Sequence, residues 1–254
     1  MLGTFAGCGG GSAADAGTMS VTTDDAARTG DGEGQSGDGG GAEGGGSDGA
    51  SSDGSDGAGS PATTAAGLLA LTGRCAKVVS DHPYATHTGG ATANVDICGL
   101  SGAVFWTADL DVTCDGRNAG DGKCPGDDPN YAPQTAFTGK TGRYLAASVT
   151  PYVVIPTDFR PDGLTGGAVV AVIYKDRVVY GVYGNTGPDD AIGEASYACA
   201  DALGVDPDPA TGGTPGPVTY IAFLGSDAVP SDLEDPAETQ RLGETLTARL
   251  LHAP

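Results

Sequence analysis

The sequence predicts a mainly β domain, a packed sheet or barrel with a few peripheral helices, preceded by a disordered tether. Three observations predict it. Apolar stretches such as AVFWTADLDV, PYVVIP, AVIY, RVVYGVYG and PVTYIAFL alternate or run continuously between Gly- and Pro-rich breaks, as strands of a packed sheet do. Helical signals are confined to a few segments, clearest in DPAETQRLGETLTARLL near the end. Residues 1–66 carry ten acids against the single Arg28, and residues 30–59 are almost entirely Gly, Ser, Asp, Ala and Glu. Such a segment has too little apolar area to offset chain entropy, so a tether (1–66) and one domain (67–254) are expected.

In order, residues 61–72 read as a short helix, and His82 and His87 as surface histidines of the loop that follows. Residues 94–100 and 103–113 read as strands. In the second, Asp109 and Asp111 are two apart, so their carboxylates share one face with Phe105, Thr107 and Thr113, while Trp106, Ala108, Leu110 and Val112 make the other. Paired like charges cost energy unless a cation, a shared proton or a cationic substrate compensates. A calcium reading of Asp109, Asp111 and Asp115 ranks below substrate contact, because calcium sites are oxygen-rich loops rather than strands.

Residues 116–136 form a long polar loop containing Pro125, Asp127, Asp128 and Pro129, followed by a buried strand at 151–156. Residues 166–174 and 177–184 make a hairpin through Lys175-Asp176, expected at the centre of the sheet. The chain breaks at Gly184, Gly187 and Pro188. Residues 192–203 read as an alanine-rich helix stopped by Gly204, with Ile192, Ala195, Cys199 and Leu203 on one face. Asn185, Asp189, Asp190 and Glu194 gather between strand exit and helix start. Asp189 and Asp190 read as ordinary acids of a first helical turn. Glu194, among Gly193, Ala195 and Ser196, has an open approach. Residues 217–224 form a further strand. Asp235 caps the last helix, Pro236 takes its first turn, Glu238 completes a capping box, and Leu242, Leu246, Arg249 and Leu250 share a stripe.

The net charge of −21 leaves no basic stripe to replace phosphate counterions, which argues against nucleic acid and toward a cationic partner. Of six cysteines, Cys114 and Cys124 bracket a Gly- and Asp-rich loop that an oxidising compartment would staple, Cys75 with Cys98 makes a second bridge, and Cys199 is a buried free thiol. Their spacing matches no zinc site. Phe5-Ala6-Gly7-Cys8 resembles the end of a bacterial lipoprotein signal, in which the cysteine is lipidated, although only seven residues precede it. A lipid anchor at Cys8 and display outside a bacterial cell are the corresponding expectations.

Five pieces, in order, resemble the fungal and bacterial chitosanases of glycoside hydrolase family 75: FWTADLDVTCDG at 105–116, PYVVIP at 151–156, AVIYKDRVVYGVYGNTGP at 171–188, IGEASYACADALG at 192–204 and GGTPGPVTYIAF at 212–223. The resemblance implies a six-stranded, double-psi-like β-barrel and an endo-acting, inverting hydrolase of β-1,4-linked glucosamine polymers. The partner is then chitosan, met by a monomer that needs no cofactor and no metal. An inverting hydrolase uses two carboxyl groups about 6.5–9.5 Å apart. The resemblance puts one on Glu194 and the other on the Asp of a G-D-T-G-P motif, where this chain has Asn185. An amide cannot ionise. Three arrangements are open: Asp109 or Asp111 partners Glu194; Asn185 positions water for slow hydrolysis; or catalysis is lost and a cell-surface chitosan-binding protein is left. A calcium-stabilised surface protein without sugar affinity is a further reading. Trp106, Asp115, Thr186 and Tyr183 complete the site as expected substrate contacts.

Overall fold

The longest strands set the frame. The computed structural model describes residues 61–87, 90, 92–124 and 128–253. Cys8, most of the 1–66 tether, and Pro125 and Asp127 therefore lie outside the described residues. The elements in order are α1 (Pro61–Thr72), β1 (Cys98–Leu100), β2 (Ala103–Thr113), β3 (Tyr152–Pro156), β4 (Val169–Tyr174), β5 (Arg177–Gly187), β6 (Glu194–Ser196), α2 (Tyr197–Leu203), β7 (Thr214–Phe223) and α3 (Pro236–Leu251). Residues 61–66, read from the sequence as the end of the tether, are the first half of α1, whose Ala65 and Leu68 are buried against the domain.

Strands β2, β6, β3, β5, β4 and β7 pair in that circular order and β7 returns to β2, closing a six-stranded mixed barrel. Two pairs are parallel, β2 with β6 and β3 with β5, and the rest antiparallel. The two-residue turn Lys175-Asp176 joins β4 to β5, and Lys175 takes a positive φ of 57°, as such a turn demands. Disulfides join Cys75 to Cys98 and Cys114 to Cys124, each with Cα atoms 5.4 Å apart, while Cys199 is free and buried.

Alternation along each strand divides the wall. Trp106, Leu110, Val153, Val172, Tyr183, Ala195, Val218 and Tyr220 fill the interior, and α2 adds Cys199 and Leu203 to the same cluster. Part of the outer wall is roofed: Phe105, Ala171, Ile173, Tyr180, Ile221 and Phe223 pack under Ala65 and Leu68 of α1 and Leu246 and Leu250 of α3. Asp235 caps α3 as its sequence predicts, accepting from the Glu238 amide at 2.9 Å. The capping box is not completed. The Glu238 carboxylate instead accepts from the backbone and hydroxyl of Ser231 and from the Asp232 amide, tying the preceding loop. Arg249 leaves the apolar stripe to pair with Asp227 at the surface.

The main departure from the sequence reading is residues 192–203. Helix α2 begins only at Tyr197, and Glu194–Ser196 is a strand wedged between β2 and β3, hydrogen-bonded on both sides. Two specific contacts override helix propensity there. Gly193 takes φ 126°, and a Cβ on it would collide with the Asp109 carboxylate, so the chain enters β6 through a glycine-only turn. The Ser196 hydroxyl then donates to the Thr150 carbonyl at 2.9 Å and accepts from the Tyr152 and Cys199 amides, which pins the strand and caps the helix with one side chain.

Candidate active site

The half of the outer wall that no helix roofs carries a row of paired residues. Asp111 on β2 is the register partner of Glu194 on β6, Glu194 of Val154 on β3, and Val154 of Asn185 on β5. Partners across adjacent strands point to the same side, so these four side chains floor one groove. The groove holds about 830 Å³. One rim is the loop after β2, with Asp115, Asp128, Pro129 and Asn130; the others are Thr186 to Pro188, His87, and Pro209 to Gly212.

Asn185 reaches this face through a bulge. Tyr152 pairs with Val182 and Val153 with Tyr183, but Val154 pairs with Asn185, so Gly184 is an extra residue in β5. Its carbonyl accepts from the Phe137 amide of the neighbouring loop rather than from a strand. Only glycine fits there, since a Cβ would lie 2.6 Å from that of Tyr152 and 2.7 Å from Leu145 Cδ1. The extra residue turns Tyr183 into the barrel and Asn185 out to the groove, although the two are only two apart in sequence.

Asn185 is 7% exposed and held at both ends: its Oδ1 accepts from the Ala136 amide at 2.8 Å and its Nδ2 donates to Asp115 Oδ2 at 3.1 Å. Asp115 Oδ1 accepts from the Ala132 amide at 2.7 Å. Burial raises the Asp115 pKa and Asp128 adds to this, while the Ala132 amide and the Asn185 side chain oppose it. Burial likewise pushes Glu194 up to about 7, with the charges of Asp115, Asp111 and Asp128 adding and a Thr113 hydrogen bond opposing. Asp111 is raised too, again chiefly by burial. Around pH 7, then, Glu194 divides its population between acid and carboxylate, while four carboxyl groups share one groove.

The predicted site residues separate cleanly. Glu194, Asp111, Asn185, Asp115 and Thr186 come together in the groove lining. Asp109 does not belong to that lining; it sits beside the glycine turn at 193, with Oδ2 3.8 Å from His87 Nδ1, and burial followed by the Asp111 charge raises it to about 6. Trp106 and Tyr183 are interior residues rather than substrate contacts. Trp106 is 1% exposed and stacks on Tyr220 with ring centroids 5.2 Å apart, and Tyr183, 8% exposed, meets Phe137 edge-on. Their direction along β2 and β5 is set by the core they fill. His87, read from the sequence as a surface histidine, lines the groove, as does Asp128; neither carries a local signal, because loop closure brings them there. Among the described residues no group of three or more His, Cys, Asp or Glu is placed to hold a metal ion, so Asp109, Asp111 and Asp115 do not converge as a calcium loop.

Fold and groove together define a class: a closed β-barrel bearing an open, carboxyl-floored groove on its outer wall. Residues 110–249, more than half of the sequence, match the family described as fungal chitosanase of glycosyl hydrolase group 75, and the chain belongs to that family. It is 33% identical over 144 residues to an endo-chitosanase of Aspergillus oryzae, a match covering 50% of this chain and 58% of that protein. It is 32% identical over 181 residues to endo-chitosanase B of the same fungus, covering 62% and 74%, and 35% identical over 175 residues to its endo-chitosanase C, covering 65% and 44%. The chain thus spans little more than half the length of the first of these relatives.

Proposed function

We propose that this chain is an endo-acting glycoside hydrolase that cleaves β-1,4-glucosamine linkages of chitosan with inversion, Glu194 being the general acid. The observation that carries this is the Glu194 carboxyl, raised to about 7 on the floor of an open groove with Asp111 and Asp115. A carboxyl raised so far holds its proton into the range where a general acid works, and the surrounding carboxylates favour protonated glucosamine units. The relatives named as endo-chitosanases support the substrate class.

Spacing supports inversion. Neighbouring strands lie about 4.8 Å apart, so Asp111 is one strand spacing from Glu194 and position 185 is two, about 9.6 Å. An inverting pair needs room for a water, about 6.5–9.5 Å between carboxyl groups. Two strand spacings come close to the upper end of that range, which favours a base near position 185, while the Asp111 charge helps to hold the Glu194 proton on. The Asn185 amide favours a second reading, a catalytically impaired chitosan-binding protein, because it withholds ionisation at the position where the resemblance expects it. Release of reducing ends from soluble chitosan, with product anomers followed by NMR, tests the first reading. Activity abolished by Glu194→Gln supports it, and tight binding without reducing ends in the parent supports the second.

The two disulfides support an oxidising, extracytoplasmic location. The same proposal includes a monomeric domain that takes in α1 from Pro61 onward, rather than starting at 67, and anchoring through lipidated Cys8, which metabolic labelling with a fatty-acid analogue, lost in Cys8→Ser, would test.

A further inference from the structure

We propose that Asp115 supplies the base carboxylate of this groove and that Asn185 is its positioning residue, so that the second charge is displaced by one hydrogen bond rather than lost. The inference rests on the hydrolase reading above.

Asn185 is committed to Asp115. With its Oδ1 occupied by the Ala136 amide, the amide plane is fixed and its NH2 points at Asp115 Oδ2, 3.1 Å away. Were position 185 an aspartate, two carboxylates would face each other at that distance, and one would have to hold a proton. The amide leaves a single negative charge there and donates to it. Asp115 is in turn oriented from its other oxygen by the Ala132 amide at 2.7 Å. A carboxylate offers about four lone-pair sites, so two held contacts leave acceptor capacity for a water in the groove that Asp115 lines together with Glu194.

The other acids fit the role less well. Asp111 is the immediate register partner of Glu194, and among the described residues no hydrogen bond orients its carboxylate as two orient that of Asp115. Asp109 lies outside the groove lining. Asp128 stands on the rim, held by backbone amides of the loop after β2 (Cys114 and Asn130, 2.8 Å each), and among the described residues no side chain of the groove floor donates to it as Asn185 does to Asp115. Asp115 also comes on a stiff support: Cys114 beside it is disulfide-bonded, and its own carbonyl accepts from the Tyr152 hydroxyl at 2.8 Å.

In the step this assigns, the Asp115 carboxylate takes a proton from water as the water oxygen bonds to the anomeric carbon. The bond from that carbon to the glycosidic oxygen breaks, and Glu194 gives its proton to the departing oxygen. The products are two shorter chains, the new reducing end having inverted configuration; Glu194 is left ionised and Asp115 protonated, and solvent restores both.

The test compares soluble chitosan cleavage by the full chain and by Asp115→Asn, Glu194→Gln, Asn185→Asp and the double swap Asp115→Asn with Asn185→Asp. Thermal midpoint and oligomer binding are measured for each. The expected result is activity in the parent, a fall of about 10²–10⁴ in Asp115→Asn with binding retained, and recovery of at least tenfold in the swap, where the charge returns to position 185. Asn185→Ala is expected to move the acid limb of the pH–rate profile upward, because the Asn185 hydrogen bond lowers the Asp115 pKa; an unmoved limb would remove its positioning role. Asp115→Asn within a few-fold of the parent, while Glu194→Gln is dead, overturns the inference and leaves the hydrolase standing. Loss that the swap does not restore marks Asp115 as structural and also overturns it. A silent parent beside an active Asn185→Asp sinks the Asp115 role but keeps the groove a chitosanase cleft. If no variant cleaves or binds, the proposed function fails and this inference with it.

Discussion

The outer wall of one barrel has two fates, and β2 and β5 each run through both. At the start of β2, Phe105 faces outward beneath α1 and α3; six residues later Asp111, on the same face, floors the groove. On β5 Tyr180 faces outward and donates to Thr247 of α3, and beyond the bulge Asn185 faces outward into the groove. The interior side of both strands is apolar throughout. The difference between the regions therefore does not come from the strands' geometry. It comes from what the outer face was given to meet: a leucine stripe in one half, loops bearing carboxyl groups in the other. Burial in the first half is stabilising, whereas in the second it is spent on shifting pKa values.

The sharpest way to break the comparison is to cut into the roofed half. Phe105→Ala should cost about 3–5 kcal/mol, a fall on the order of 10 °C in Tm at about 2–4 °C per kcal/mol, while kcat of the folded fraction is unchanged; calorimetry and activity per folded molecule decide it. If kcat falls with stability, the two halves are not separable. Ser196→Ala strikes the seam between them, leaving the Tyr152 and Cys199 amides and the Thr150 carbonyl without their shared partner. It should cost about 1–3 kcal/mol and also lower kcat, since β6 carries Glu194.

The open half predicts the opposite pH behaviour from that of a salt-bridged carboxylate. Glu194 binds its proton more tightly folded, at about 7, than its ordinary value of 4.5. The stabilisation this gives is present at low pH and fades as pH rises from about 4.5 through about 7. Tm should fall over that window in the parent and fall less in Glu194→Gln, which denaturation scans at pH 5 and pH 8 would compare. Equal slopes would mean that burial of Glu194 is not felt by the folding equilibrium. The smallest expected effect is on tuning. Asp111→Asn removes one of the charges that raise Glu194, so the alkaline limb of the pH–rate profile, set near 7 by the general acid, should move to lower pH with little change in Tm. An unmoved limb would mean that the row of paired residues does not act as one electrostatic unit.

Much of the roofed half was legible in the chain. Alternation marked β2 and the β4–β5 hairpin, and Asp235 and the leucine stripe marked α3, because each rests on local spacing. The groove was legible in its chemistry, Glu194 and Asp111 above all, but not in its facing. Three-residue β6 was hidden inside an alanine-rich helix pattern, since its strand conformation comes from two neighbours distant in sequence. Strict alternation put Tyr183 and Asn185 on one face, and the bulge at Gly184 separates them. Trp106 looked like a sugar platform by type, yet its even position along β2 sends it to Tyr220 inside the barrel. The proximity of Asp115 to Asn185 joins residues 70 apart in sequence and has no local signature.

Gly184 also makes the site a matter of counting. Excising that residue would restore plain alternation with Asn185 still opposite Val154 and facing outward, but would take away the carbonyl to which the Phe137 amide donates. The loop that carries the Ala136 amide would then lose that tie to β5 without a single groove residue being altered. One extra residue, a glycine with no side chain of its own, thus keeps the cleft loop fastened to the barrel wall.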